Sequence, residues 1–211
     1  MLIIGHRGAR GLAPENTHAS FMCALKNNVD SIELDIRTSA DGKLVVHHDA
    51  TVNGTIISKT DYTTLKHANP DLLLLHEALK ILDGKCPVII EIKKGADMQA
   101  VIDEFTMSPL KAGTQVASFD MQILRAVRSS LPDVPIIVNE KWSGIRGTHR
   151  CHKLRTTYLC MNQRWLWSGF IESLSKKGYN LSTYPLNDPK KANKWRTHGL
   201  YGVVTDYPDR F

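Results

Sequence analysis

Apolar residues run through this chain in two alternating rhythms. Short β-branched runs at residues 2–5, 31–36, 43–48, 88–93, 115–119, 135–138, 156–161, 180–183 and 202–205 have the length and composition of buried strands. Between them, residues 16–27, 73–82, 98–105, 121–130, 166–177 and 189–197 place apolar side chains three and four apart, as a helix with one buried face requires. Asp41-Gly42, Asn53-Gly54, Asp83-Gly84, Pro132-Asp133 and Lys177-Gly178 punctuate the series as turns. Residues 141–155, interrupted by Gly144 and Gly147, predict a loop with at most one short helix.

Alternating strand and helix units imply parallel strands joined by right-handed crossovers. If residues 43–48 extend the second unit, eight strands remain. That number predicts a small α/β protein, a single (β/α)8 TIM barrel over residues 1–211, with its eighth helix missing or reduced. An open doubly wound sheet is the alternative. No linker or low-complexity tract divides the chain, so one domain is expected.

Hydrophobic residues make up 42% and charged residues 23%, a composition typical of globular chains. No apolar run has the length of a membrane span, so no stable membrane insertion is expected. Residues 1–5 have no basic leader, which predicts a cytoplasmic protein with its four cysteines reduced. His149, Cys151, His152 and Cys160 lack the paired spacing of a zinc site. The net charge of +6 is dispersed and not interleaved with stacking aromatics, so no nucleic-acid partner is expected. Monomer and homodimer are equally compatible with the sequence.

Strand alternation then sorts the polar residues. Ile32, Leu34 and Ile36 share one face of the second strand, and Glu33 and Asp35 share the other. Val88, Ile90 and Ile92 likewise oppose Glu91 and Lys93. In a barrel the apolar faces meet the helices, so these ionisable groups point into the mouth at the strand C-termini. Three carboxylates held together repel and desolvate one another, and an oxygen-ligated cation, Mg²⁺ or Ca²⁺, resolves the conflict. A salt-bridge network with Arg7 and Lys93 is the alternative. His48 is expected inward with Leu44 and Val46, leaving His47 on the opposite face, while His6 follows the first strand directly. Two histidines beside an arginine suit phosphoryl chemistry.

His6-Arg7-Gly8, Pro14-Glu15-Asn16-Thr17, Glu33-Leu34-Asp35, His48-Asp49, Leu75-His76-Glu77-Ala78-Leu79, Glu91-Ile92-Lys93, Ser118-Phe119 and Gly202-Val203-Val204-Thr205-Asp206-Tyr207-Pro208 occur in this order along nearly the whole chain. Together they closely resemble the glycerophosphodiester phosphodiesterase family. The resemblance implies a (β/α)8 barrel and metal-dependent cleavage of a small glycerophosphodiester to sn-glycerol 3-phosphate and an alcohol. It makes Glu33, Asp35 and Glu91 metal ligands, His6 and His48 the acid–base pair, and Arg7 and Lys93 phosphate-binding groups. Glu15 and Asn16 would fix the loop around His6, Asp49 would orient its neighbouring loop, and Phe119 and Tyr184 would line the cleft. The chain departs from the family in two stretches. Tyr184-Pro185-Leu186-Asn187 stands where a Trp-Thr-Val-Asn run is common, and Val52-Asn53-Gly54-Thr55 replaces an Arg-Thr-Thr pattern.

The implied reaction has His6 deprotonating the glycerol 2-hydroxyl, which attacks phosphorus, while His48 protonates the leaving alcohol. Water then opens a cyclic 1,2-phosphate. Rival readings are a phospholipase D-like lyase that stops at the cyclic phosphate, a lysophospholipase D, and a non-catalytic phosphate-binding barrel.

Overall fold

The computed structural model describes residues 1–107 and 113–211. Eight parallel strands close into a barrel: β1 (Leu2–Gly5), β2 (Ser31–Thr38), β7 (Val88–Ile92), β8 (Gln115–Ser118), β9 (Ile136–Glu140), β10 (Tyr158–Asn162), β11 (Asn180–Tyr184) and β12 (Gly202–Thr205). Closure comes from β1, which pairs with β2 on one side and with β12 on the other. The open-sheet alternative is thereby excluded. Helices α1 (His18–Lys26), α3 (Leu75–Leu82), α4 (Met98–Met107), α5 (Met121–Ser130), α6 (Gly144–Leu154), α7 (Ser168–Lys176) and α8 (Pro189–Arg196) follow the first seven barrel strands. After β12 comes a 3-10 turn at Pro208–Arg210.

The alternation expected of the strands holds. Ile32, Leu34, Ile36, Val88, Ile90 and Ile92 are buried in the layer between sheet and helices. The opposite faces fill the barrel axis, with Ile4, Ile89, Ala117, Ile137, Cys160 and Val204 packed against one another. Toward the C-terminal mouth this filling gives way to Glu33, Asp35, Glu91 and Asn139, all buried.

An insertion separates β2 from α3. The short strand β3 (Leu44–Val46) runs antiparallel to the end of β2 and pairs in turn with β6 (Leu73–Leu74). Between them a hairpin of β4 (Thr51–Val52) and β5 (Thr55–Ile56) turns at Asn53-Gly54, both at positive φ, and helix α2 (Tyr62–Ala68) follows. Val45, Val52, Ile57, Leu65 and Leu72 give the insertion its own small core.

Three expectations need correction. Residues 141–155, expected as a loop with one short helix, are mostly helix: α6 takes up eleven of them. The helix expected from residue 73 starts at Leu75, because Leu73 and Leu74 pair with β3. The strand expected over 43–48 stops at Val46, and Leu44 and Val46 pack into the helix-side layer rather than into the barrel. His48 therefore reaches the mouth because the chain turns after Val46, and not by alternation from those residues.

Candidate active site

The β1–α1 loop is tightly tied. Arg7 adopts a left-handed backbone, φ 51°. Its N–H donates to Glu33 Oε2 at 2.9 Å, and its carbonyl accepts from Asn16 N–H at 3.0 Å and Ser20 Oγ at 3.0 Å. Such over-determination is what maintains a strained residue. Asn16, also left-handed at φ 58°, donates through Nδ2 to Asp35 Oδ2 at 3.0 Å. Thr17 then caps α1, its hydroxyl accepting from Ser20 N–H while Ser20 Oγ accepts from Thr17 N–H.

At the barrel mouth the strand register sets Asp35 beside Glu91. Carboxylate oxygens of Glu33, Asp35 and Glu91 lie within 4.8 Å of one another, the only such cluster of potential metal ligands among the described residues. Lys93 Nζ sits 2.6 Å from Asp35 Oδ1 and also contacts Glu91 Oε1. Arg7 Nε approaches Asp35 Oδ2 at 3.2 Å, and its Nη1 donates to Glu15 Oε1 at 2.8 Å. Asn139 Nδ2 donates to Glu91 Oε2 at 2.9 Å.

The charges in this cluster are unequally compensated. Burial opposes ionisation of Asp35, but Lys93 and Arg7 outweigh it and hold the carboxyl below its usual range. Glu91 is raised by burial, with Lys93 relieving only part of the cost. Glu33 is pushed well above the usual carboxylate range, by burial first and then by Asp35 and Glu91. It accepts its hydrogen bond from the Arg7 backbone N–H rather than from a cationic side chain. A carboxylate so placed calls for further positive charge, and an all-oxygen donor set suits a hard divalent cation. The residues therefore fit a metal of the Mg²⁺ or Ca²⁺ type.

Two imidazoles flank the cluster, each held by an aspartate. His6 Nδ1 lies 2.6 Å from Asp206 Oδ1, and His48 Nδ1 lies 2.8 Å from Asp49 Oδ1. Each bond leaves Nε2 as the free ring nitrogen. Burial lowers the pKa of both; the Asp206 bond partly restores that of His6, whereas Lys93 lowers that of His48 further. Asp206 is well anchored: Asn187 Nδ2 donates to it at 2.8 Å and Arg10 Nε approaches at 3.0 Å. Burial opposes its charge, but the bonds from His6 and Asn187 bring its pKa down to about 2. His47 is turned away, with Nε2 3.0 Å from the Thr51 carbonyl oxygen.

The cavity over these groups has a volume of about 950 Å³. His6, Arg7, Glu33, Asp35, His48, Glu91 and Lys93 all line it, and Phe119 and Tyr184 form an edge-to-face pair, 5.7 Å between centroids, on its far wall. Glu15, Asn16 and Asp49 stand behind, holding Arg7, Asp35 and His48 respectively. Sequence reasoning overlooked Asp206, Asn139, Asn187 and Arg37. Arg37 lines the cavity and donates to the His48 carbonyl through Nε at 2.9 Å and Nη2 at 2.7 Å. Asp206 lies in the Gly202–Pro208 stretch after β12, and closure of β12 onto β1 brings it to His6.

Groups able to transfer protons and groups able to hold an anion thus meet at the C-terminal mouth of the barrel, where (β/α)8 enzymes perform their chemistry. The chain is an enzyme of that class. Residues 6–210 match the Glycerophosphoryl diester phosphodiesterase family, and the chain belongs to that family. It is accordingly a phosphoric diester hydrolase. YhdW of Bacillus subtilis (strain 168), provisionally named a glycerophosphodiester phosphodiesterase, is 32% identical over 99% of this chain and 96% of its own length. A glycerophosphodiester phosphodiesterase of Caldanaerobacter subterraneus is 26% identical, covering 99% and 95%. Among solved structures, an Oleispira antarctica phosphodiesterase in complex with the product sn-glycerol-3-phosphate superposes with a TM-score of 0.87 at 22% identity, covering 100% of this chain and 94% of that one. The Thermotoga maritima glycerophosphodiester phosphodiesterase gives 0.85 at 25% identity, covering 100% and 96%. Among the described residues no helix is long and apolar enough to cross a membrane.

Proposed function

We propose that residues 1–211 form one catalytic domain that hydrolyses glycerophosphodiesters to sn-glycerol 3-phosphate and an alcohol, using His6 and His48 as the acid–base pair. The observation that carries this reading is one cleft holding three buried carboxylates between two aspartate-held imidazoles. Glu33, Asp35 and Glu91 would hold one Mg²⁺ or Ca²⁺, which when bound supplies positive charge against the diester anion. Arg7 and Lys93 add positive charge beside it and bind the phosphate oxygens.

His6 is the base of the first step. Its bond to a buried, ionised Asp206 fixes the tautomer whose Nε2 accepts a proton. It takes the proton of the glycerol 2-hydroxyl, whose oxygen attacks phosphorus. His48, more exposed and held by Asp49, gives its proton to the leaving alcohol. The cyclic 1,2-phosphate is then opened by water, with the two histidines exchanging roles. Phe119 and Tyr184 form the wall against which the alcohol portion rests. The test is a diester lacking the hydroxyl next to the phosphate. Its turnover should fall ~10²-fold or more relative to glycerophosphocholine; an equal rate would contradict the cyclic route.

A further inference from the structure

The connections after β9 and β10 carry an apolar surface beside the mouth that cleavage of a small diester does not use. Trp142, Ile145, Trp165 and Trp167 are 63%, 85%, 47% and 63% exposed. Large apolar side chains left in water in one place mark an interaction surface. Trp142 and Trp165 meet edge to face, 6.0 Å between centroids. Trp167 stacks at 5.1 Å on Phe170, and Phe170 covers Gly144 so closely that a Cβ there would lie 2.1 Å from its ring. Ile145 is the next residue. The two connections are thus packed together, as adjacency of β9 and β10 allows.

This surface abuts the cleft. Lys141, next to Trp142, lines the cavity with its ammonium 5.2 Å from the centre of the Phe119 ring. Gln163 donates to the carbonyl of cavity-lining Pro185 at 2.5 Å. The stretch of chain that carries it is rich in one sign of charge. Residues 141–171 contain no aspartate or glutamate, and Lys141, Arg146, Arg150 and Arg164 lie within the stretch. Glu140, just before it, is buried and already bound by Arg146 and Arg150. A second copy of this chain docked across a two-fold axis would set these cations against one another. A sugar chain could stack on the tryptophans but would leave Ile145, the most exposed of the four, without a role. An anionic lipid surface uses every part: tryptophans at headgroup depth, isoleucine at the acyl boundary, and cations against acidic headgroups.

We propose that Trp142, Ile145, Trp165 and Trp167 form a rim that seats the barrel mouth on an anionic phospholipid surface and presents the cleft to diesters carried in it. The second half of this statement rests on the phosphodiesterase reading above; the first does not. The test is sedimentation with substrate-free vesicles, one set of phosphatidylglycerol and phosphatidylcholine in equal parts and one of phosphatidylcholine alone. The protein should sediment with the mixed vesicles, with its tryptophan emission shifted to the blue, and less with the neutral ones or in high salt. Ile145→Asp should weaken vesicle binding about tenfold or more and leave turnover of dissolved glycerophosphocholine unchanged; Trp167→Ser provides a second, independent reading. Protein that stays in the supernatant overturns the proposal, as does undiminished binding by both variants. A dimer that Ile145→Asp dissociates, without vesicle binding, assigns the rim to a second copy and also overturns it. Absence of turnover on dissolved diester counts against the phosphodiesterase reading alone.

Discussion

Asp206 decides how His6 can act. With a pKa of about 2 it stays ionised at any working pH, and it holds the Nδ1–H of an imidazole that burial would otherwise lower further. Asp206→Asn removes the interaction that raises the His6 pKa. The already lowered value then falls again, so the ascending limb of kcat/KM against pH moves to lower pH, and kcat drops at least ~10-fold as tautomer control is lost. A limb that does not move would disconnect the pair. Glu33 poses the opposite case. Its folded pKa is raised, so the metal-free fold gains stability as pH falls through that pKa and is weakened by the charge above it. Glu33→Gln should therefore melt higher than the unsubstituted protein at neutral pH under chelation, and gain less when divalent cation is added. A variant that melts lower under chelation would mean that the charge on Glu33 is already compensated. The carboxylate cluster was legible from residue types and strand alternation. Asp206 was not, since nothing local links residues 200 positions apart. His48 was found through an alternation that the turn after Val46 cuts short.

Helix α6 shows where element-level reading fails. Gly144 and Gly147 look like helix breakers, yet both answer to packing: Gly144 lies beneath Phe170, and a Cβ on Gly147 would come 2.9 Å from Leu159 Cδ1. With Cys151 and Leu154, Gly147 forms a regular buried face along the helix, but two glycines and mixed charges in one short stretch argue locally for a loop. The β1–α1 connection makes a related demand. Gly8 has φ +82°, and a Cβ there would meet the Ser20 backbone at 2.6 and 2.7 Å. Ser20 belongs to the cap of α1 and cannot retreat without releasing the Arg7 carbonyl. Gly8→Ala should cost at least about 2 kcal/mol in denaturant unfolding and lower activity as well, because His6 and Arg7 sit on the same loop. A variant of full stability would show that this junction has room to relax.

The site exists only because the barrel closes. His6 at the end of β1 reaches Asp206 after β12 through the register that sets Gly5 beside Thr205. Glu33 and Asp35 come from β2, Glu91 from β7, Asn139 from β9, and His48 from the insertion that β2 supports. An open sheet with the same strands would part the first of these from the last. Strand count and the closed barrel were readable from the sequence, since each strand–helix unit is local and eight of them suit closure; the register of the closing pairing and the course of the insertion depend on contacts distant in the chain. The most direct test of the whole account is release of sn-glycerol 3-phosphate from glycerophosphocholine before chelation, after chelation, and after Mg²⁺ or Ca²⁺ is restored. The account predicts activity that chelation abolishes and one of these cations returns; an unchanged rate under chelation would contradict it.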